Sequence, residues 1–145
     1  MDKKCRTMFS YALVLSFLCL TNPVSAYDSG VTVKTLLKST TAANGQHHEY
    51  LKTDRPEVTA CIVEIAPGAQ TGWHSHSVPV YAYVMEGTLM VTLEDGKVFS
   101  FEKGQALIEV MNIAHNGKSV GKEKVRLLVF YTGEEGKPMS VKVSP

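Results

Sequence analysis

The sequence predicts an all-β fold in which antiparallel strands close into a double-sheet jelly-roll β-barrel. Short apolar runs are separated by turn signals at Pro67-Gly68, Glu86-Gly87, Asp95-Gly96, Lys103-Gly104 and Asn116-Gly117, a spacing typical of all-β proteins. No segment shows helical periodicity over the length that a stable helix needs. Closure into a barrel would bury one face of each strand and remove exposed strand edges.

The individual strands follow from these runs in chain order. Residues 31–37 predict a first strand in a weakly patterned arm. Residues 79–85 and 88–93 predict a hairpin around Glu86-Gly87. Asp95-Gly96 predicts a second hairpin because both residues tolerate positive φ. Two further strands are expected over residues 106–110 and 124–131.

The first 26 residues have the pattern of a signal peptide. Basic residues precede an apolar run over residues 8–20, and Val24-Ser25-Ala26 supplies small residues for cleavage. The apolar run is shorter than the ~20 residues that a spanning helix needs. We therefore expect cleavage after Ala26, no stable membrane insertion afterwards, and export to a periplasm or to the medium.

Removal of this leader would leave 119 residues, the size of one ordinary domain. We expect an arm over residues 27–57 packed on a barrel domain over residues 58–145. The leader takes three bases and one acid, which leaves 12 basic and 13 acidic side chains. This balance argues against nucleic-acid binding. The remaining cysteine, Cys61, lies in an apolar run and is predicted to be a buried structural thiol.

Three histidines are the strongest functional signal. His74 and His76 are separated by one residue and therefore point to the same face of an extended strand. His115 follows later in the chain, and three imidazoles that converge favour a metal site. His47-His48 is a different case, because adjacent residues on an extended backbone point to opposite sides. We predict no metal site at that pair.

These histidines and the glycines around them give the chain a resemblance to small single-domain cupins. The first motif of that family contains a glycine, His-x-His, a glutamate and a second glycine. Its matching positions here are Gly68, His74, His76 and Gly87, but Val80 stands where the glutamate is expected.

The second motif of the family matches less completely. Gly104 and His115 fall at its glycine and histidine positions, whereas Val110, Asn112 and Ser119 replace other motif residues. The resemblance covers about residues 58–131 and implies the jelly-roll fold.

The resemblance also implies a divalent transition metal, which could be iron, zinc, manganese, nickel or copper. By position, its ligands would be His74, His76 and His115. Three neutral imidazoles leave the charge of the ion uncompensated, which favours an anionic further ligand. Glu109 is the internal candidate, because a charge inside the apolar run at residues 106–110 is costly unless it is paired or bound to metal. The alternative is that Glu109 ends the strand and faces solvent or a basic side chain.

Two functions remain open from the sequence. One is a metal-dependent oxidoreductase of dioxygenase type on a small anionic substrate, with Glu109 or Tyr81 as acid-base groups. Some cupin thiol dioxygenases use three histidines in this way. The other is a module that binds a small ligand without turnover, with or without a metal. The resemblance also implies a homodimer, because cupins often dimerise by exchanging or pairing terminal strands. The arm at residues 27–37 and the tail at residues 139–143 have strand patterning suited to such pairing.

Overall fold

The computed structural model describes residues 28–144, and the predicted leader lies outside them. All strands belong to one compact unit that begins at Lys34. Within the described residues no helix is long and apolar enough to cross a membrane. The nine described strands are β1 (Pro56–Ile65), β2 (His74–Ser75), β3 (Val80–Glu86), β4 (Thr88–Leu93), β5 (Val98–Glu102), β6 (Ala106–Ile108), β7 (His115–Val120), β8 (Val125–Glu134) and β9 (Val141–Lys142).

These strands form two antiparallel sheets, and the buried apolar residues form a main core cluster and a smaller one. The four-stranded sheet has the order β1-β8-β3-β6, and the five-stranded sheet has the order β5-β4-β7-β2-β9. Side chains alternate between the two faces of a strand, and the inward set of each sheet packs against the other. The predicted all-β double-sheet fold is confirmed. Its buried core includes Ile65, Val80, Ala82, Val84, Leu89, Leu107, Val125, Leu127 and Val129.

The connection between β3 and β4 is a corner between the sheets. β3 pairs with β6 and β8, whereas β4 pairs with β5 and β7, so the predicted hairpin around Glu86-Gly87 is wrong. Two apolar runs around a glycine have the same pattern whether the second strand turns back or crosses to the facing sheet. Gly87 has a φ of 75°, and a Cβ there would collide with the carbonyl oxygen of Lys124.

The second predicted hairpin is confirmed. β4 and β5 pair from Thr88↔Glu102 to Thr92↔Val98. The amide of Gly96 donates to the Leu93 carbonyl at 2.9 Å, which closes the turn.

The arm differs from its prediction. Residues 31–37 have no strand pairing among the described residues, because an extended segment becomes a strand only when a neighbour supplies hydrogen bonds. Contacts with the barrel come from residues 41–51, including Leu51, which packs against the main apolar core. Ala42 is buried, and the Gln46 side chain donates to the Met111 carbonyl and accepts from the Met111 amide at 2.9 and 2.8 Å.

The tail forms the edge of the five-stranded sheet beside the histidines. β9 pairs with β2 of its own chain through Ser75↔Val141 and His74↔Lys142, and its other edge has no strand partner among the described residues. Pairing of that outer edge with a second subunit stays a prediction.

Candidate metal centre

The three predicted histidines lie together at one end of the barrel. β2 and β7 bring His74 and His115 directly opposite each other, and His76 follows β2. The centres of the three rings lie 4.4 to 5.0 Å apart. His76 and His115 are each 2% exposed, so this is an interior cluster.

Each imidazole is oriented by a backbone carbonyl on its Nδ1 side. The His74 Nδ1 donates to the Gly72 carbonyl at 2.9 Å, His76 to that of Met139 at 2.8 Å, and His115 to that of Ile113 at 2.9 Å. A carbonyl oxygen can only accept, so each Nδ1 carries the proton. In the neutral rings the Nε2 atoms therefore keep their lone pairs, which is the arrangement that metal-binding histidines have.

Glu109 completes the cluster. Its Oε2 lies 3.2 Å from the His115 Nε2 and 3.3 Å from the His76 Nε2, and its side chain is 15% exposed. The alternative in which Glu109 faces solvent or a basic side chain is wrong. Val80, at the position where the cupin motif has glutamate, is 1% exposed and belongs to the apolar core.

The electrostatics keep Glu109 ionised. Burial on its own would raise the pKa of this carboxyl, but the hydrogen bonds to His115 and His76, together with the attraction of the positive charge that these rings carry when protonated, outweigh burial and bring the pKa to about 2. Burial lowers the pKa of His115, but the hydrogen bonds to Glu109 and to the Ile113 carbonyl, together with the negative charge of Glu109, raise it above its usual value. The pKa of His74 is lowered, mainly by burial.

These residues fit a divalent metal ion. The four donor atoms of His74, His76, Glu109 and His115 all lie within 4.8 Å of one another. A carboxylate and an unprotonated Nε2 repel each other unless a proton or a cation lies between them. Imidazole nitrogens with one carboxylate suit zinc, iron, copper or nickel. The single negative charge of Glu109 offsets half of the double positive charge of a divalent ion.

A cavity of about 80 Å³ opens beside this cluster. The four candidate ligands line it, with apolar side chains from both sheets and the aromatic ring of Tyr131. The ring centre of Tyr131 lies 5.6 Å from that of His76. Burial, and then the charge of Glu109, raises the pKa of Tyr131 to about 12, so its hydroxyl stays protonated at neutral pH and can donate a hydrogen bond into the cavity.

Tyr131, and not Tyr81, is the tyrosine of this cavity. Tyr81 lies outside the lining, and its hydroxyl pairs with the His48 Nε2 at 2.9 Å. The sequence contained the signal, because position 80 points inward and position 81 must then point outward. Tyr131 continues the inward series Val125, Leu127 and Val129 at every second position of β8.

The remaining sequence candidates lie elsewhere. His47 and His48 are not part of the four-residue cluster: His47 forms a bridge with Thr41, and His48 contacts Tyr81. Cys61 is a free thiol that packs against the core.

Sequence comparison agrees with the motif analysis. A family model described as "Cupin domain" matches residues 61–131. No curated protein matches the chain.

Structural comparison finds the same fold in several solved structures. An oxalate decarboxylase from Lactobacillus farciminis, as a formate complex, is 21% identical with a TM-score of 0.53, over 59% of this chain and 26% of that chain. The DMSP lyase DddQ from Ruegeria pomeroyi DSS-3 is 15% identical with a TM-score of 0.52, over 59% and 43%. The cupin domain of Schizosaccharomyces pombe Cnp3 is 24% identical with a TM-score of 0.50, over 59% and 63%. The chain thus spans less than two thirds of each of these structures.

Proposed function

We propose, from the premise that the chain belongs to the cupin superfamily through its domain at residues 61–131, that it is a metal-dependent enzyme acting on a small anionic molecule. The observation that carries this proposal is the convergence of three Nε2 atoms and one carboxylate within 4.8 Å on the wall of a cavity. The enzymes with similar structures act on oxalate and on DMSP, but at this identity the likeness supports the fold alone.

The reaction class we propose to test first is an oxidation of dioxygenase type. When bound, a divalent transition metal supplies Lewis acidity and, for iron, manganese or copper, redox chemistry. The protein itself contributes three things. Carbonyl groups hold the imidazoles in one tautomer, the Tyr131 hydroxyl offers a hydrogen-bond donor, and apolar side chains such as Leu89 and Leu127 limit the water beside the centre.

The alternative function is metal or small-ligand binding without turnover. Four protein donors suffice for the closed tetrahedral shell of a structural zinc site. The adjoining cavity of about 80 Å³ favours the enzyme, because it leaves space for a small molecule beside the cluster.

Metal analysis tests the proposal directly. Protein purified without a histidine tag should contain about one transition-metal ion per chain by inductively coupled plasma mass spectrometry. The variant His74→Ala/His76→Ala should lose the ion, whereas the matched variant His47→Ala/His48→Ala should keep it. Wild-type protein that is folded and stays empty after incubation with iron, zinc, copper, nickel and manganese would disprove the metal-dependent function.

Turnover separates the two functions once the metal is known. Oxygen consumption by the metal-loaded protein, measured with a panel of small carboxylic acids and thiols, is expected for the enzyme. Tight one-to-one metal binding without consumption of any panel member would favour the binding module.

We also propose that the protein is exported after cleavage behind Ala26. Intact mass spectrometry of protein recovered from the extracytoplasmic fraction should give a chain that begins at Tyr27. A mass that retains the first 26 residues would contradict this proposal.

We further propose that a second copy of the chain covers the outward face of the four-stranded sheet. Val58, Ile62 and Phe130 are 65%, 45% and 40% exposed on that face. Each end of the face carries both signs of charge, with Glu64 beside Lys124 and Arg126 at one end and Glu134 beside Arg55 and Lys137 at the other. A two-fold axis through the face can therefore bring acids opposite bases.

Light scattering tests this homodimer. The wild type should have twice the mass of one chain, and Ile62→Glu should give one chain. Val98→Glu, at an exposed position on the other sheet (54%), should leave the mass unchanged. A wild type with the mass of one chain at every concentration would contradict the proposal.

A further inference from the structure

A second cavity lies immediately outside the metal centre. It has a volume of about 330 Å³ and is lined by Thr71, Gly72, Trp73, His74, Ser140 and Lys142. The inner cavity of about 80 Å³ shares Thr71 and His74 with it. The two cavities therefore adjoin each other at Thr71 and His74.

Sheet register directs Lys142 toward the same side as the histidines. His74 is the direct partner of His115 on β7 and of Lys142 on β9. Residues directly opposite each other in antiparallel strands point to the same face, with Cβ atoms about 5 Å apart. His115, His74 and Lys142 thus form a row on one face of the sheet, and Lys142 is its outermost member.

The charge of Lys142 is not compensated within the described residues. No carboxylate of residues 28–144 lies within ion-pair distance of its ammonium group. The lining of the outer groove contains no acidic side chain, and Glu109 lines the inner cavity instead. The ammonium group of Lys142 is therefore the one charge that lines the groove, and it attracts an anion.

The two cavities differ in lining. The inner one is mostly apolar beyond the candidate ligands, with Val63, Ile65, Leu89, Leu127 and Val129 in its wall. The outer groove offers an ammonium, a Ser140 hydroxyl and an aromatic ring. A molecule that spans both would be small and apolar at its inner end and anionic at its outer end.

We infer that Lys142 recognises the carboxylate of a small organic acid whose other end lies in the inner cavity beside the histidines. This inference rests on the proposed function and specifies its substrate class. Lys142 is a specificity-determining residue on this inference, because its contact is with the substrate anion and it holds no part of the metal centre.

Calorimetric titration with defined probes tests the inference. The probes are saturated monocarboxylic acids of two to five carbons, with the corresponding neutral amides as controls, on the full protein with its metal content measured in the same samples. Wild-type protein should bind at least one acid and should bind its amide more weakly. Lys142→Ala should weaken binding of that acid about tenfold, the scale of a lost charge-assisted hydrogen bond. Lys142→Glu should weaken it further.

Matched variants make the result specific. Lys142→Arg should retain most of the affinity, and Lys122→Ala, which removes the same charge from an exposed loop, should bind like the wild type. The metal content of all four variants should equal that of the wild type. The difference between wild type and Lys142→Ala should also shrink as salt is added.

The outcomes separate this inference from the proposed function. Metal-loaded wild type that binds none of the acids, or acids that bind equally well to Lys142→Ala, would overturn the inference and leave the metal centre intact. Wild type without metal would overturn the proposed function, and with it the substrate class assigned here.

Discussion

Glu109, which directly follows β6, lies opposite Val80 on β3, and the Glu109 amide donates to the Val80 carbonyl at 3.0 Å. The pairs Tyr81↔Ile108 and Ala82↔Leu107 continue the same register. Opposite residues of an antiparallel pair point to the same face. The carboxylate that the cupin motif carries at position 80 can therefore be replaced by one from the facing strand, which reaches the same side of the barrel.

This relationship predicts that the two side chains can be exchanged. Glu109→Gln should weaken metal binding about 10- to 100-fold, because it removes the charge of the fourth donor. The exchange Val80→Glu/Glu109→Val keeps the pair's composition and should restore affinity to within about tenfold of the wild type. Competition with a chromophoric chelator measures both. An exchanged variant that binds as weakly as Glu109→Gln would show that the carboxylate must come from position 109.

The parts of the site that follow from local spacing could be predicted from the sequence. His74 and His76 share a face because one residue separates them, and His115 matched a family motif. Glu109 could be named as a candidate from its place in an apolar run, but the choice between a ligand and a solvent-facing strand end could not be made, because it depends on which residue of β3 lies opposite. Tyr131 shows the same limit: alternation along β8 makes it an inward residue, but only the packing of the sheets brings it beside His76.

The fold was predictable to a similar depth. Runs of apolar residues and turn signals identify strands. Asp95-Gly96 identifies a tight turn because both residues tolerate positive φ. The choice between a hairpin and a corner at Gly87 is not local, because it depends on which partner β4 finds across the barrel. The carbonyl group that constrains Gly87 comes from Lys124, far along the chain.

Gly87→Ala should therefore destabilise the protein more than a glycine replacement in open space. Both Gly87 and Gly68 have positive φ, 75° and 77°, which costs alanine about 1 kcal/mol or more. Only at Gly87 would the new Cβ strike a backbone carbonyl. We expect a loss of about 1 kcal/mol for Gly68→Ala and about 3 kcal/mol for Gly87→Ala in urea unfolding. Equal losses would mean that the β3–β4 corner can relax without cost.

The metal-free protein should be most stabilised by the Glu109–His115 contact in mildly acidic solution. The folded pKa of Glu109, about 2, lies below its ordinary 4.5, so its contribution is complete above about pH 4.5 and is lost as the pH falls toward 2. The pKa of His115 is raised above 6.5, so its contribution is complete below pH 6.5 and is lost as the pH rises through the folded pKa. Both contributions are present between these limits.

Thermal unfolding in the presence of a chelator, from pH 2 to pH 9, measures this effect. The difference in Tm between wild type and Glu109→Gln should be largest between about pH 4.5 and 6.5 and should shrink on both sides. Glu64→Gln, which alters an exposed ion pair, should change Tm little at any pH. A Tm difference for Glu109→Gln that is constant across the range would contradict this account.

The C-terminal tail should be needed for metal affinity and not for the fold. The Met139 carbonyl accepts the proton of the His76 Nδ1, and β9 supplies one of the two strands that flank β2. The main apolar core contains no residue beyond Tyr131 in the described part of the chain. Truncation after Pro138 should therefore leave the circular dichroism of the β-sheets intact and weaken metal binding about 10- to 100-fold, the usual effect of losing a group that orients a ligand.

Two control variants keep the contacts of the tail. Protein truncated after Val143 retains both contacts and should bind metal like the wild type. Met139→Ala should do the same, because the backbone carbonyl of residue 139 and not its side chain contacts His76. If the protein truncated after Pro138 is folded and binds metal with wild-type affinity, then the histidines are held in place by β7 and the barrel alone.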